Sequence, residues 1–307
     1  MPVVGPDPFQ TLRYVLRSSL NPYRCRHTAL PPQQAQERGG DIPEPMDAIR
    51  AKKSLGQNFL KDPHYLHKIA GAARLGPGDQ VIVIGPGLGH LTRVLATSAG
   101  KVLAVELDER LISPLRRDFG ASRNVEVVQA DALNYPYASL PGKWKVVANL
   151  PYYISTAVLQ QLIAHRDKFI SLTLMLQKEV ADRIVSPPGG KEYGYLSVLV
   201  QLYAEPRIEF TVPPGAFTPR PEVDSAVVTL LLRSGPAVTV RDQDFFLRVV
   251  KAAFSQRRKT LRNALRQLDL PREKMEAASE KTGVDLGRRA ETLSVEEFGR
   301  LADFLRA

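Results

Sequence analysis

The segment Asn149-Leu-Pro-Tyr-Tyr-Ile-Ser155 carries the sharpest chemistry in this chain. It follows an apolar run, Lys145-Val-Val-Ala148, that reads as a strand. Pro151 fixes the backbone, so the Asn149 amide oxygen and the Leu150 carbonyl can both aim at one spot. Tyr152 supplies an aromatic face beside that spot. Two acceptors and a stacking platform match an exocyclic amino group on a flat base. The competing reading is a proline turn with its tyrosines packed as core. Three further signals at strand ends weigh against it.

The first is Gly85-Pro-Gly-Leu-Gly-His90, between a strand and a helix. Glycines there let backbone come close to a ligand at the carboxyl end of a sheet. The second is Glu106, 21 residues after Gly85. A carboxylate at that position can accept both hydroxyls of a ribose. A dinucleotide fingerprint needs glycine or alanine at the sixth position of the loop, where this chain has His90. The pattern therefore favours a nucleoside ligand without a pyrophosphate. The third is Asp131, which could accept from an adenine amine or could serve only as an Asx turn after its strand.

These residues need a sheet to hold them. Gln80–Ile84, Val102–Leu107, Val125–Gln129, Lys145–Ala148 and Ile170–Leu176 read as strands. Helical patterns at 90–99, 109–118 and 156–165 separate them. Such alternation implies an α/β fold, a parallel sheet with helices on both faces. Ile208–Val212 and Ala226–Leu232 lack a helix between them and would close the sheet as an antiparallel pair. Ser234-Gly235-Pro236 marks a boundary, and beyond it helices are expected over 244–266, 272–282 and 294–306. Ser294 and Glu297 form a capping box for the last one. The expected domains are residues 1–45 as an extension, 46–234 as the catalytic unit and 235–307 as a small helical unit.

The chain has 307 residues, 44% hydrophobic and 24% charged, which fits a folded globular protein and not a disordered or collagen-like one. No apolar run reaches the roughly 18 residues of a membrane span. Lys and Arg exceed Asp and Glu by 42 to 32, a net charge of +10, which favours nucleic acid as partner. Cys25 is the only cysteine, so neither an intrachain disulfide nor a thiolate zinc site is available. The five histidines are scattered, and no metal site is expected. Residues 1–45 hold eight of the 24 prolines and several arginines. They fit a basic RNA-touching arm, an organelle transit peptide, or a dispensable stretch before a start at Met46; the last is the preferred reading. The segment 245–268 carries Arg248, Lys251, Arg257, Arg258, Lys259, Arg262 and Arg266 without an acid. Its apolar face is supplied by Phe245, Phe246, Val249, Val250 and Phe254, leaving the cations for phosphates. The loop Pro187-Pro-Gly-Gly190, with Tyr193 and Tyr195, either borders that surface or is a plain surface loop.

In this order, the glycine loop, Glu106, Asp131 and Asn149-Leu-Pro-Tyr152 resemble an S-adenosylmethionine-dependent methyltransferase acting on adenine amines. From about Ala51 onward the chain resembles the KsgA/RsmA family of ribosomal RNA adenine dimethyltransferases. Further motifs carry the likeness, among them Lys52-Lys-Ser-Leu-Gly-Gln-Asn-Phe-Leu60, Phe217-Thr-Pro-Arg-Pro-Glu-Val-Asp-Ser-Ala226 and Phe254-Ser-Gln-Arg-Arg-Lys-Thr-Leu-Arg-Asn263. The resemblance implies a Rossmann-like class I methyltransferase sheet with a small all-helical C-terminal domain. It implies S-adenosylmethionine as cofactor, with Gln57, Asn58 and Leu60 closing over it. Gly85 would contact its methionine part with Gly87 in the same loop, Glu106 its ribose, Asp131 its adenine, and Asn149 both cofactor and target. Asn149, Leu150, Pro151 and Tyr152 would hold the target amine, and Phe217 would pack on the flipped base opposite Tyr152. Arg257, Arg258, Lys259 and Arg262 would bind RNA. The implied reaction is N6,N6-dimethylation of two adjacent adenosines near the 3′ end of 16S rRNA. The implied substrate is a precursor of the 30S subunit, met by a monomeric cytoplasmic enzyme. One residue departs from the family pattern: Val83 stands where a glutamate usually precedes Ile-Gly-Pro-Gly.

The alternatives are a large-subunit resistance methyltransferase, an organellar relative with a transit peptide, a non-catalytic ribosome-assembly factor, and a nicotinamide oxidoreductase. The motifs Arg-Arg-Lys-Thr-Leu-Arg-Asn and Arg289-Ala-Glu-Thr-Leu293 favour the small-subunit enzyme over the first. An intact Asn149-Leu-Pro-Tyr152 speaks against the third, and His90 against the last.

Overall fold

A computed structural model describes residues 49–306. The expectations for residues 1–45 and for Met46 and Cys25 lie outside the described residues. Seven strands form the main sheet: β1 (Gln80–Ile84), β2 (Lys101–Glu106), β3 (Val125–Gln129), β4 (Trp144–Asn149), β5 (Phe169–Gln177), β6 (Ala204–Val212) and β7 (Ser225–Leu232). Their order is β3-β2-β1-β4-β5-β7-β6. The first five run parallel, and β7 is antiparallel to both β5 and β6. Central strands covered by helices on both faces need apolar side chains on both, and Val81, Ile82, Val83 and Ile84 are all buried. β6 begins four residues before the expected Ile208 and contains Pro206. It is an edge strand, where a missing N–H is tolerated.

The helices of this half are α1 (Pro63–Ala73), α2 (His90–Ala96), α3 (Glu109–Phe119), α4 (Ser155–Ala164), α5 (Lys178–Val185) and α6 (Tyr195–Tyr203). Of these, α1, α5 and α6 were not expected. A signal for α1 was present: Asp62 caps it by accepting from the His64 N–H at 2.9 Å, and Pro63 opens its first turn. The helix α6, Tyr-Leu-Ser-Val-Leu-Val-Gln-Leu-Tyr, is apolar all round because it lies inside, so it shows no helical stripe.

After Arg233 the described chain is helical: α7 (Gln243–Phe254), α8 (Leu261–Ala264), α9 (Arg272–Thr282) and α10 (Val295–Arg306). The capping box on α10 is present, with the Ser294 N–H donating to Glu297 Oε2 at 2.9 Å and the Glu297 N–H to Ser294 Oγ at 3.2 Å. The single helix expected over 244–266 is corrected. It breaks at Ser255–Thr260 because the next backbone groups pair elsewhere. The Leu261 N–H donates to Arg288 O at 2.9 Å and the Arg262 N–H to Leu286 O at 3.0 Å. Those N–H groups cannot also reach back four residues. Gln267 Nε2 meets the Ala252 carbonyl at the end of α7. One buried cluster runs from the sheet through α6 into these helices, including Leu172, Leu202, Tyr203, Phe246, Val250 and Phe298. Tyr193 corrects the surface reading of its loop: it is buried, edge-to-face on Phe254.

Candidate active site

Sheet register brings the expected residues to one edge. Ile84 lies beside Val105 in β2 and Ala148 in β4. One step further along each strand stand Gly85, Glu106 and Asn149. Asp131 follows the end of β3, next in the sheet. These residues line a cleft together with Gly56, Gln57, Asn58, Leu60, Gly87, Leu150, Pro151 and Tyr152. Cleft and mouth hold about 1090 Å³ of atom-free space.

The glycine loop works by close approach rather than by offering amides. The Gly85 N–H donates to Val105 O and the Gly89 N–H to Pro86 O, both at 2.9 Å. The Gly87 N–H donates to Glu106 Oε2 at 3.1 Å. Gly87 has φ +57°, and a Cβ there would stand 3.0 Å from the Phe59 ring. Glycine is thus required both by backbone conformation and by the ring packed on it. The amides of these three glycines are thus engaged within the protein.

Glu106 is 5% exposed yet lines the cleft. Its carboxylate accepts from the Gly87 N–H and, through Oε1, from the Leu107 and Asp108 N–H groups at 2.9 Å. Burial pushes its pKa above the usual value, the backbone donors pull it down, and the Asp108 charge adds to the rise. The side chain is held rigidly, and its Oε2, with a single backbone donor, has an acceptor site left for a ligand. Asp131 also lines the cleft, and its Asx turn is present. Its oxygens accept from the Leu133 N–H at 2.9 Å and from Asn134 Nδ2 at 2.8 Å, an Asx turn that fixes the carboxylate at the rim. Glu106 and Asp131 are the acidic residues among those lining the cleft. Val83, also in the lining, is buried in the sheet.

Residues 50–60 form a strap along the cleft. Its end pairs with a short strand, Leu60 opposite Phe217 and Phe59 opposite Thr218. Gln57 lies in the lining, but its side chain works within the protein. Its Oε1 accepts from the Lys52 N–H, and its Nε2 donates to Asp108 Oδ2, both at 2.8 Å. Gly56, at φ +55°, leaves room for the Tyr153 ring, which a Cβ would meet at 2.9 Å.

Asn149 Nδ2 donates to the Asn58 carbonyl at 3.2 Å. That bond fixes which way the amide points and leaves Oδ1 as the acceptor. The Leu150 N–H donates to Met175 O at 3.3 Å, anchoring the turn to β5. Tyr152 is held by its hydroxyl, 2.6 Å from Ser225 Oγ. Burial raises its pKa, so the phenol stays protonated at neutral pH and cannot act as a base. Phe217 is not brought to the cleft. Its ring is 4% exposed and packs in a cluster with Leu60, Val212, Ala216 and Val227.

Arg257, Arg258, Lys259 and Arg262 are exposed on the turn after α7 and on α8. Arg257 Nη2 donates to Lys191 O at 2.8 Å, tying the turn to the 187–193 loop. No group of three or more His, Cys, Asp or Glu able to hold a metal occurs among the described residues. No helix among them is long and apolar enough to cross a membrane.

The profile of the ribosomal RNA adenine dimethylase family matches residues 48–307. This chain belongs to that family. It is accordingly a ribosomal RNA adenine dimethyltransferase. The ribosomal RNA small subunit methyltransferase A of Moorella thermoacetica is 47% identical over 266 residues, covering 83% of this chain and 92% of that protein. The protein of that name from Geobacter sulfurreducens is 47% identical over 268 residues, covering 85% and 97%. A dimethyladenosine transferase from Plasmodium falciparum superposes with TM-score 0.70 at 29% identity, covering 79% of this chain and 95% of its own. The 23S rRNA methyltransferase ErmE superposes with TM-score 0.65 at 30% identity, covering 81% and 100%. The sheet is that of the class I methyltransferases, as expected.

Proposed function

We propose that this enzyme uses S-adenosylmethionine to dimethylate N6 of two adjacent adenosines near the 3′ end of 16S rRNA, in a precursor of the 30S subunit. The reading includes a monomeric, cytoplasmic enzyme. Residues 46–234 form its catalytic unit, 235–307 dock RNA, and 1–45 are dispensable. The observation that carries it is the orientation of Asn149: its amide nitrogen is tied to Asn58 O, so Oδ1 is the atom left to accept from a target amine.

The residues fit the cofactor. A buried, rigid carboxylate with an acceptor site open on Oε2 suits a ribose hydroxyl, and Asp131 at the rim suits an adenine amine. A Cβ on Gly85 would lie 3.9 Å from Asn149 O, so the loop approaches the acceptor residue closely. Bound there, S-adenosylmethionine supplies an electrophilic sulfonium methyl. The chain's own work is on the other reactant. An adenine amine is a weak nucleophile because its lone pair is shared with the ring. Asn149 Oδ1 and Leu150 O accept its hydrogens and favour a pyramidal nitrogen with its lone pair free. Pro151 keeps both acceptors in place, and Tyr152 holds the base plane by stacking. Positioning and fixed dipoles then provide most of the acceleration. Phe217 would have to leave its buried packing to cover the second face of the base.

The higher identity to small-subunit enzymes than to ErmE, 47% against 30%, supports the small subunit as target. The test is to map dimethyladenosine in rRNA from cells with and without this protein. Loss of the adjacent pair in 16S rRNA is expected. Loss confined to 23S rRNA, or no loss, would overturn the reading.

A further inference from the structure

The strap carries Gln57 and Asn58 to the cleft, and its fastening is unusual in chemistry. Asp108, the residue that caps α3, has a side chain only 4% exposed. It is gripped by Arg110 from both sides of the carboxylate: Nε donates to Oδ1 at 3.0 Å and Nη2 to Oδ2 at 2.6 Å. The same Oδ2 accepts from Gln57 Nε2. The third arm of the guanidinium, Nη1, donates to Arg50 O at 3.3 Å. Gln57 in turn holds the Lys52 N–H. One side chain therefore reaches both ends of the strap, directly at Arg50 and through Asp108 at Gln57. Arg110 itself is 45% exposed and does not line the cleft.

We propose that Arg110, acting through Asp108, is a positioning residue that latches the strap 50–58 shut along the cofactor cleft. The proposal rests on reading the cleft as the S-adenosylmethionine site. The Arg110 guanidinium lowers the Asp108 pKa and fixes both its oxygens, so Oδ2 is a strong, oriented acceptor for Gln57. Without it, Gln57 loses its charged anchor's support and Arg50 its donor, and the strap opens more often. A site that is competent only when shut then shows an apparent affinity reduced by the open fraction. The two adenosines require four transfers, so the latch acts at every exchange of product for fresh cofactor. Planar, two-pronged geometry matters, and lysine offers only a point charge.

Arg110→Ala is a cleaner test than any change at Asp108, because Asp108 also caps α3. Hydrogen exchange over 50–58 reads the strap without reference to a ligand, since the Lys52 N–H is among the latched groups. Exchange is expected to approach that of an unprotected segment, with the strap shut about a tenth of the time, and the KM for S-adenosylmethionine to rise about tenfold. The single-turnover rate at saturating cofactor should change by less than about twofold, and Arg110→Lys should recover part of both effects. Unchanged exchange in Arg110→Ala would overturn the latch. Faster exchange with an unchanged KM would overturn its role in cofactor binding. A wild-type protein that binds no S-adenosylmethionine would instead sink the cofactor reading, while the exchange data still judge the latch.

Discussion

In the cleft, the polar groups that matter already have protein partners; on the basic turn after α7 most do not. Glu106 holds three backbone N–H groups, Asp131 holds the Leu133 N–H and Asn134 Nδ2, and Asn149 holds Asn58 O. Among the side chains of Arg257, Arg258, Lys259 and Arg262, only that of Arg257 is bonded to a protein acceptor among the described residues, the Lys191 carbonyl. The difference follows from what each region has to do. A site that stabilises charge as it develops must be fixed beforehand, because reorganising dipoles during the reaction would consume the benefit. A surface that grips phosphates through counterion release needs charge and reach, and long side chains in water supply both.

That contrast breaks most visibly at Asn149. Asn149→Ala removes one fixed acceptor, and a fall of about 10²–10³-fold in single-turnover transfer to undermethylated small subunits is expected at saturating S-adenosylmethionine. RNA binding should be retained. A rate within a few-fold of wild type would leave Asn149 as a turn residue only.

Glu106→Ala tests the ribose assignment. A hydrogen bond to a charged acceptor contributes about 1.5–3 kcal/mol, so calorimetry should show cofactor affinity weakened roughly ten- to hundredfold. Equal affinity in the mutant would refute the assignment.

On the basic turn the effect is smaller and salt-dependent. Neutralising Arg257, Arg258 and Lys259 should make the slope of log K against log salt shallower by up to about 0.7–0.9 per lost phosphate contact. Cofactor affinity should not move. Because Arg257 also braces the 187–193 loop, Arg258 and Lys259 changed as a pair sharpen the result. An unaltered slope would mean that these cations are merely solvated.

Acid separates the regions again. The Glu106 pKa is raised by burial, so the native state binds this proton more tightly than the unfolded chain does. Glu106 therefore favours the ligand-free fold more as pH falls through that raised value. Ribose hydroxyls prefer the ionised form, so cofactor affinity should be full above the raised pKa and decline below it. Titration calorimetry carried from neutral pH down towards the ordinary carboxylate range should show a decline that begins above that range and that Glu106→Gln abolishes. A decline of equal size in the mutant would assign it to another group. The least effect is expected from deleting residues 1–45: methylation by a 46–307 chain should match that of the full chain, and a large loss would make the extension a working RNA contact.

Much of this was legible in the sequence because it is local. A β-branched run ending at Gly85 dictates a strand and a turn, and Asn-Leu-Pro-Tyr dictates a stiff one. Alternation of such runs with amphipathic helices dictates the parallel sheet, whose register then carries Gly85, Glu106, Asp131 and Asn149 to one edge. Tertiary structure decided what depends on partners far along the chain. Helix 244–266 was broken by the pairing of Leu261 and Arg262 with 286–288, which no periodicity in the segment reveals. The helix α6 was hidden because burial on every side erased its stripe. Phe217 and Tyr193 are ordinary aromatics in sequence, and only packing placed both inside. Arg110 sits two residues from Asp108 on an exposed helix start, where i,i+2 charges carry no expectation of contact. It became a latch because the strap, some 60 residues upstream, returns to the end of β2 and presents Arg50 and Gln57 to it.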